Sequence, residues 1–342
     1  MTSKKPKIAI VGATGNVGRE VLDIIDEKEV QYSELVALAS KKSKGSEIQY
    51  GEDKLITVKD LSEYDFNGTD IAIFSAGASV SSDFAPIAAK QGCIVIDNTS
   101  HFRTDPDIPL VVSEVNPGDL KNFRNKNIIS NPNCSTMGLM VAAKPLHDAF
   151  KIKRLVVSTY QSVSGAGKEA ADELFNQTKS IYSNEAITKE KFTKQIAFNL
   201  IPHIDVFLED GQTKEEWKMY SETKRIIDPN IEVSCTCVRV PVFVSHSLSV
   251  NVEFENSYEE DQVREIFKSA PGLKMVDYRV DEGYVTPVEV AGLDPVYVSR
   301  IRRDSSIPNG LNFWCVADNL RKGAALNTVQ IAEILIKDYL SS

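Results

Sequence analysis

At 342 residues the chain is longer than a single hydrophobic core usually grows, so its length points to two domains. Apolar residues at 42% and charged residues at 25% are those of an ordinary globular protein, which excludes disordered and fibrous classes. A net charge of −9 without a long basic run excludes general attraction to nucleic acid or anionic membrane, so any anionic ligand must be met by a local pocket. The 5 cysteines, an odd number in a chain without a secretory signal or a long apolar span, point to a reducing, cytoplasmic setting.

In chain order, Ile8 to Val11 reads as a short buried strand that runs directly into Gly12-Ala-Thr-Gly-Asn-Val-Gly18. A helix follows with Val17, Val21, Leu22 and Ile25 on one face. Such a glycine-rich strand-to-helix turn lets backbone approach a pyrophosphate at a helix N-terminus, although its G-x-x-G-x-x-G spacing also suits a tight turn with no ligand. The next strand, Leu35 to Ala39, ends in Ser40-Lys41-Lys42-Ser43. Hydroxyls and positive charge at that point suit the 2′-phosphate of NADP, where an NAD-selective fold usually places a carboxylate; a plain solvated lysine loop is the alternative. Strands at Ile71 to Phe74 and Ile94 to Ile96 continue the alternation that makes a mainly parallel sheet, and Ser75-Ala-Gly-Ala-Ser79 forms a second small-residue turn.

The stretch from Ile128 to Ala143 then puts Cys134 between a strand end at Ile128-Ile129, interrupted by Pro132, and a helix that Ser135 or Thr136 can cap. A helix start favours a thiolate, and its N–H groups can hold an oxyanion formed by attack on an acyl carbon. A buried structural cysteine is the other reading. Beyond it, Leu155 to Val163 reads as a strand leading into Ser164-Gly-Ala-Gly167, and helical stretches cover the region of Glu169 to Lys191 and Thr213 to Ile227. Strand-rich runs at Ile231 to Phe243, Ser247 to Phe254, Val296 to Arg302 and Leu311 to Val316 suggest a mixed sheet with helices on one face. Gly323 to Leu340 reads as a final helix that packs back on the first domain.

Arg239 is out of place. Counting by two, it shares one strand face with Ile231, Val233, Cys235 and Cys237, while Val238, Val240 and Val242 line the other. A guanidinium there needs an anionic partner, supplied by a ligand or by an internal ion pair. His246, seven residues on, begins the next strand. Cys235 and Cys237 lack a second Cys or His pair at metal-binding spacing, so no metal site is expected.

Taken together, Gly12 to Gly18, Asn131-Pro-Asn-Cys-Ser-Thr136, Gln161-Ser-Val-Ser-Gly-Ala-Gly167, Glu215-Glu-Trp-Lys218, Arg239-Val-Pro-Val-Phe-Val-Ser-His246 and Asp318 to Asn327 resemble the aspartate-semialdehyde dehydrogenase family over essentially the whole chain. The resemblance implies an α/β protein: a Rossmann-type, parallel-sheet NADP-binding domain over residues 1–133, completed by a C-terminal helix at 323–342, and an α+β catalytic and dimerisation domain with a mixed sheet over 134–322. It implies interconversion of L-4-aspartyl phosphate and L-aspartate 4-semialdehyde through a cysteine thioester, on the route to lysine, threonine and methionine. Cys134 then corresponds to the nucleophile, His246 to the acid/base group and Gln161 to the residue that positions the intermediate. Arg239 corresponds to the grip on the substrate α-carboxylate and Glu215 to the partner of its ammonium, with Arg103, Asn133 and Lys218 as the phosphate set. Cofactor contacts fall on Gly12, Thr14, Gly15, Asn16, Val17, Gly18, Ser40, Lys42, Ser43, Ala76, Gly77, Ser164, Gly165 and Asn319. Lys42 stands where the family often has arginine, a point charge in place of a planar fork. A homodimer or homotetramer is expected. Two other readings stand beside this one: N-acetyl-γ-glutamyl-phosphate reductase, whose substrate has no free ammonium, and a non-enzymatic nucleotide sensor on the same scaffold.

Overall fold

A computed structural model describes residues 5–340 of the chain. They divide into two units: the first runs to Pro132 and resumes at Ala324, and the second spans Asn133–Gly323.

The first unit holds a 7-stranded sheet of β1 (Lys7–Val11), β2 (Glu34–Ala39), β3 (Glu47–Tyr50), β4 (Lys54–Asp60), β5 (Ile71–Phe74), β6 (Ile94–Asp97) and β7 (Ile128–Ser130), in the order β3-β4-β2-β1-β5-β6-β7. All neighbours are parallel except the β3–β4 hairpin. The central strands are covered on both faces, which is why they read as unbroken apolar runs. Ile8 and Ile10 of β1 join a core with Val21, Leu22 and Ile25 of α1 (Asn16–Glu27) and with Leu326, Val329 and Leu335 of the C-terminal helix (Leu326–Asp338). Ala9 and Val11 face the other way, toward Ala85 and Ala88 of α2 (Ala78–Lys90).

The expected final helix differs in its start. Its first residues instead form a wide turn, Arg321–Ala325, in which the Gly323 N–H reaches back five residues to the Asp318 carbonyl at 3.0 Å. Ser341 and Ser342, included in that expectation, lie outside the described residues.

Strand order reverses between β1 and β5, and such a switch point opens a crevice at the carboxyl ends of the strands. The turns after these two strands are packed so closely that only glycine fits at Gly12: φ is +89°, and a Cβ would lie 2.8 Å from the Ala76 nitrogen. At Gly18 a Cβ would stand 2.2 Å from the Gly12 carbonyl oxygen. Gly18→Ala therefore overpacks the seat of α1 and is expected to cost about 1–3 kcal/mol, read as a lower denaturation midpoint in urea.

The second unit is built on a 6-stranded mixed sheet of β8 (Ile152–Gln161), β9 (Glu232–Arg239), β10 (His246–Phe254), β11 (Leu273–Met275), β12 (Val296–Asp304) and β13 (Gly310–Ala317), in the order β11-β12-β13-β10-β8-β9. Helix α3 (Cys134–Phe150) packs against it, with Gly138 letting the Ala317 methyl approach to 3.3 Å of where a Cβ would stand. Helices α4 (Lys168–Tyr182), α5 (Lys214–Ile226), α6 (Glu260–Ser269) and the short α7 (Pro287–Val290) complete it. The run expected as one strand from Ile231 to Phe243 stops at Arg239. Pro241 lacks the N–H that a continuing ladder needs, and Ser245, at φ +77°, turns the chain back into β10.

Candidate active site

Strand ends gather the chemistry of the second unit. β8 and β9 are parallel with Gln161 opposite Arg239, and β10 runs antiparallel to β8 with Ser247 opposite Tyr160. The last residues of β8 and β9 and the first of β10 therefore share one edge of the sheet, which places Gln161, Arg239 and His246 together. All three are buried.

Ser162 joins two of them. Its carbonyl accepts from Arg239 Nη1 at 2.7 Å, and its N–H donates to His246 Nδ1 at 3.1 Å. Its hydroxyl lies 3.1 Å from the same Nδ1 and donates to Asn319 Oδ1 at 3.0 Å. Asn319 Oδ1 also accepts from the Ser245 N–H at 2.9 Å, holding the positive-φ turn that presents His246. Because a backbone N–H points at Nδ1, the neutral ring carries its proton on Nε2. Among the described residues that buried atom has no hydrogen-bond partner. A Cβ on Gly165 would stand 3.1 Å from both His246 Nε2 and Arg239 Nη1, so glycine there keeps this corner open.

Cys134 is the first residue of α3, and the cap is Asn133, not Ser135 or Thr136 as the sequence suggested. Asn133 Oδ1 accepts from the Ser135 and Thr136 N–H groups at 2.9 and 3.3 Å. Those two donors are thereby engaged by the cap. Asn133 Nδ2 donates to Glu215 Oε1 at 2.9 Å and its backbone N–H to Glu222 Oε2 at 2.7 Å. Gly323 packs on the cysteine, since a Cβ there would be 2.9 Å from Cys134 Cβ.

Glu215 is buried on α5, whose capping box starts at Thr213. Gln161 Nε2 donates to its Oε1 at 3.0 Å, and Lys218 Nζ to its Oε2 at 3.0 Å. Burial works to raise the Glu215 pKa, but the Lys218 charge and the bonds from Gln161 and Asn133 outweigh it and hold the group at about 2. Burial depresses the Arg239 pKa, against the attraction of Glu215 and Cys134. Burial and, next, the Arg239 charge push His246 down to about 3.

In the first unit, a cleft of about 590 Å³ at the strand ends is lined by Gly12, Thr14, Gly15, Ser40, Lys41, Ser75, Ala76 and, from the end of β4, Asp60 and Ser62. Helix α1 has neither a side-chain cap nor an acidic residue in its first turn, so its N–H groups suit a phosphate. Lys41 lines the cleft where Lys42 was expected; both lysines are exposed in the turn Lys41–Ser43, and neither Lys42 nor Ser43 is among the lining residues. Asn16, Val17 and Gly18 form the start of α1 behind the lining, and Gly77 caps α2. Arg103 also belongs to this unit, where Nε and Nη2 donate to the Asn131 and Asn98 carbonyls at 2.9 and 3.1 Å. Ser164, Gly165 and Asn319, expected at the cofactor, stand in the second unit around Ser162.

Sequence reasoning gave no site role to Ser162, Gly323, Asp60 or Asp205. Ser162 and Gly323 lay inside motifs already noted, Gln161 to Gly167 and Asp318 to Asn327; Asp60 and Asp205 carry no local signal. Among the described residues no group of His, Cys, Asp or Glu is placed to hold a metal ion.

Two family models cover the chain. "Semialdehyde dehydrogenase, NAD binding domain" matches residues 7–123, and "Semialdehyde dehydrogenase, dimerisation domain" matches residues 143–322. Aspartate-semialdehyde dehydrogenase of Aquifex aeolicus is 52% identical over 98% of this chain and 99% of its own length. That of Rickettsia bellii is 52% identical over 99% of this chain and 100% of its own. The crystal structure of aspartate semialdehyde dehydrogenase II complexed with ASA, from Vibrio cholerae, has a TM-score of 0.96 at 48% identity and covers 98% of this chain and 100% of that one. The fold and both models define the class, a two-part semialdehyde dehydrogenase with a dinucleotide-binding domain and a dimerisation domain. Within that class, the chain belongs to the aspartate-semialdehyde dehydrogenase family.

The depressed basicity of His246 has a direct readout. With a folded value of about 3 against an ordinary 6.5, the ring is neutral at and above pH 5. Burying it neutral contributes stability that is complete above pH 6.5 and is lost as pH falls toward 3. The His246 ring signals in NMR are expected not to titrate between pH 8 and pH 5; a midpoint near 6.5 would contradict the burial and charge environment described.

Proposed function

We propose that this chain interconverts L-4-aspartyl phosphate and L-aspartate 4-semialdehyde with release or uptake of phosphate, using NADP(H). One observation carries the reading: a buried anion, Glu215, and a buried cation, Arg239, sit in one cluster with a cysteine at a helix start. An α-amino acid presents one charge of each sign, and this pair complements it. An N-acetylated substrate would leave Glu215 without its ammonium, and a sensor would have no use for a nucleophile.

Cys134 attacks the acyl carbon through its thiolate, forming a thioester as phosphate departs; in the other direction it adds to the aldehyde carbon. Arg239 takes the α-carboxylate and Glu215 the ammonium, while Gln161, held by Thr159 at 3.1 Å and bonded to Glu215, orients the acyl group. Lys218, Asn133 and Arg103 are proposed for the phosphate. His246 presents its Nε2–H to the open corner kept by Gly165, as a donor to the acyl oxygen and, once the ring is protonated, as the proton source. A substrate carboxylate on Arg239 offsets one of the two causes that depress His246, while burial, the larger one, remains. The nicotinamide, when bound, supplies or accepts the hydride.

For the cofactor, Ser40 and Lys41 at the end of β2 support a 2′-phosphate, with the glycine turn and the open start of α1 taking the pyrophosphate. The first unit is read as the nucleotide domain and the second as the catalytic and dimerisation domain. Exposed Phe198, Leu200, Val206 and Phe207 support a homodimer, alone or paired into a tetramer. None of the 5 cysteines is in a disulfide, which supports a reducing cytoplasm. Among the described residues no helix is long and apolar enough to cross a membrane.

Aspartate semialdehyde with inorganic phosphate is expected to drive reduction of NADP, and Cys134→Ala to abolish it; equal rates for the two proteins would refute the thioester route. NAD run beside NADP is expected to give the lower kcat/KM. His246→Asn should lower kcat by about 10²–10⁴-fold with little change in KM. An effect confined to KM would reduce His246 to a binding role.

A further inference from the structure

Without substrate, the carboxylate assigned to the ammonium is already occupied. Glu215 Oε1 accepts from Asn133 and Gln161, and Oε2 accepts from Lys218, so the place for an incoming ammonium is held by a cation of the chain itself. Lys218 Nζ has a second partner in Asp205 Oδ2 at 2.8 Å. Asp205 stands in the loop before α5 at φ +69°, partly open to solvent, with its Oδ1 accepting from the Val206 N–H at 2.9 Å. Burial acts to raise the Asp205 pKa, but Lys218 outweighs it and keeps the group ionised.

We infer that Lys218 is an exchangeable stand-in for the substrate ammonium and that Asp205 is the positioning residue that keeps it paired once the ammonium has taken Glu215. The inference rests on the reading that Glu215 receives that ammonium. Two cations held against one carboxylate oxygen repel, so binding requires Lys218 to give up Glu215. A half-buried ammonium moved away from its only carboxylate would pay desolvation without compensation. Asp205 removes that penalty because it is bonded to Nζ before and after the exchange. Lys218 then stands with its charge directed away from the amino-acid subsite and available to a second anion.

Asp205→Asn tests this role, since asparagine tolerates a positive φ and keeps an oxygen for the Val206 N–H, while the oxygen that accepts from Lys218 becomes an amide NH2 and the charge is lost. In steady-state kinetics it is expected to raise KM for aspartate semialdehyde about tenfold with kcat changed less than twofold, and Asp205→Glu to recover most of the loss. In a Lys218→Met background, with no cation to displace, Asp205→Asn is expected to have no further effect on KM. An unchanged or lower KM overturns the inference. So does a parallel fall in kcat that glutamate fails to rescue, or a KM rise that persists without Lys218. A separate variant tests the underlying reading: if Glu215→Gln leaves KM unchanged, Glu215 does not receive the ammonium and the exchange falls with it.

Discussion

Burying a carboxylate costs several kcal/mol unless its oxygens find donors, and the second unit is arranged so that Glu215 finds three. Asn133 comes from the cap of α3, Gln161 from the end of β8 and Lys218 from the next turn of α5. Each donor is itself committed elsewhere: Asn133 to the first turn of α3, Gln161 to Thr159, Lys218 to Asp205. The helix that carries the cysteine, the strand that carries the positioning amide and the helix that carries the ammonium partner are thus tied at one anion. Removing that carboxylate would leave three donors without their shared acceptor.

Low polarity around the cluster has two effects. It makes each unpaired charge expensive, and it makes each neighbour's charge strongly felt. Arg239 pays for its burial through Ser162 and through the pull of Glu215, and it suppresses the basicity of His246 in turn. Ser162 ties the cation and the imidazole to one short segment of backbone, so the distance over which this coupling acts is set by the main chain and not by two flexible side chains.

Much of this was readable from residues whose local chemistry is unambiguous. Arg239 in an apolar strand announced a buried cation, the run from Gly12 to Gly18 announced the first turn, and β10 begins at His246, within a residue of the expected start. The hidden parts depend on what lies across space. Asn133 outcompetes Ser135 and Thr136 as cap because Glu215 and Glu222 hold it in place from a helix some 80 residues on, 82 from Asn133 to Glu215. Gly323 to Ala325 was expected to open the final helix, and the bond from Gly323 to Asp318 instead marks a wide turn over Arg321–Ala325. Lys41 and Lys42 are chemically equal in sequence, and only the folded backbone shows that Lys41 is the one lining the cleft. The β3–β4 hairpin has too short an apolar pattern to stand out, with β3 buried only at Ile48 and Tyr50 and β4 largely exposed.

Gly323 lies against Cys134, and these two residues stand at the ends of the second unit, which starts at Asn133 and closes at Gly323. Entry and exit of a stretch of nearly two hundred residues are therefore neighbours in space. That is the geometry of an inserted module, whose adjoining ends let it be accepted into a loop of a host fold without stretching either partner. The cysteine is thus the second residue of such a module and Gly323 its last, so a graft of the whole stretch would carry both together.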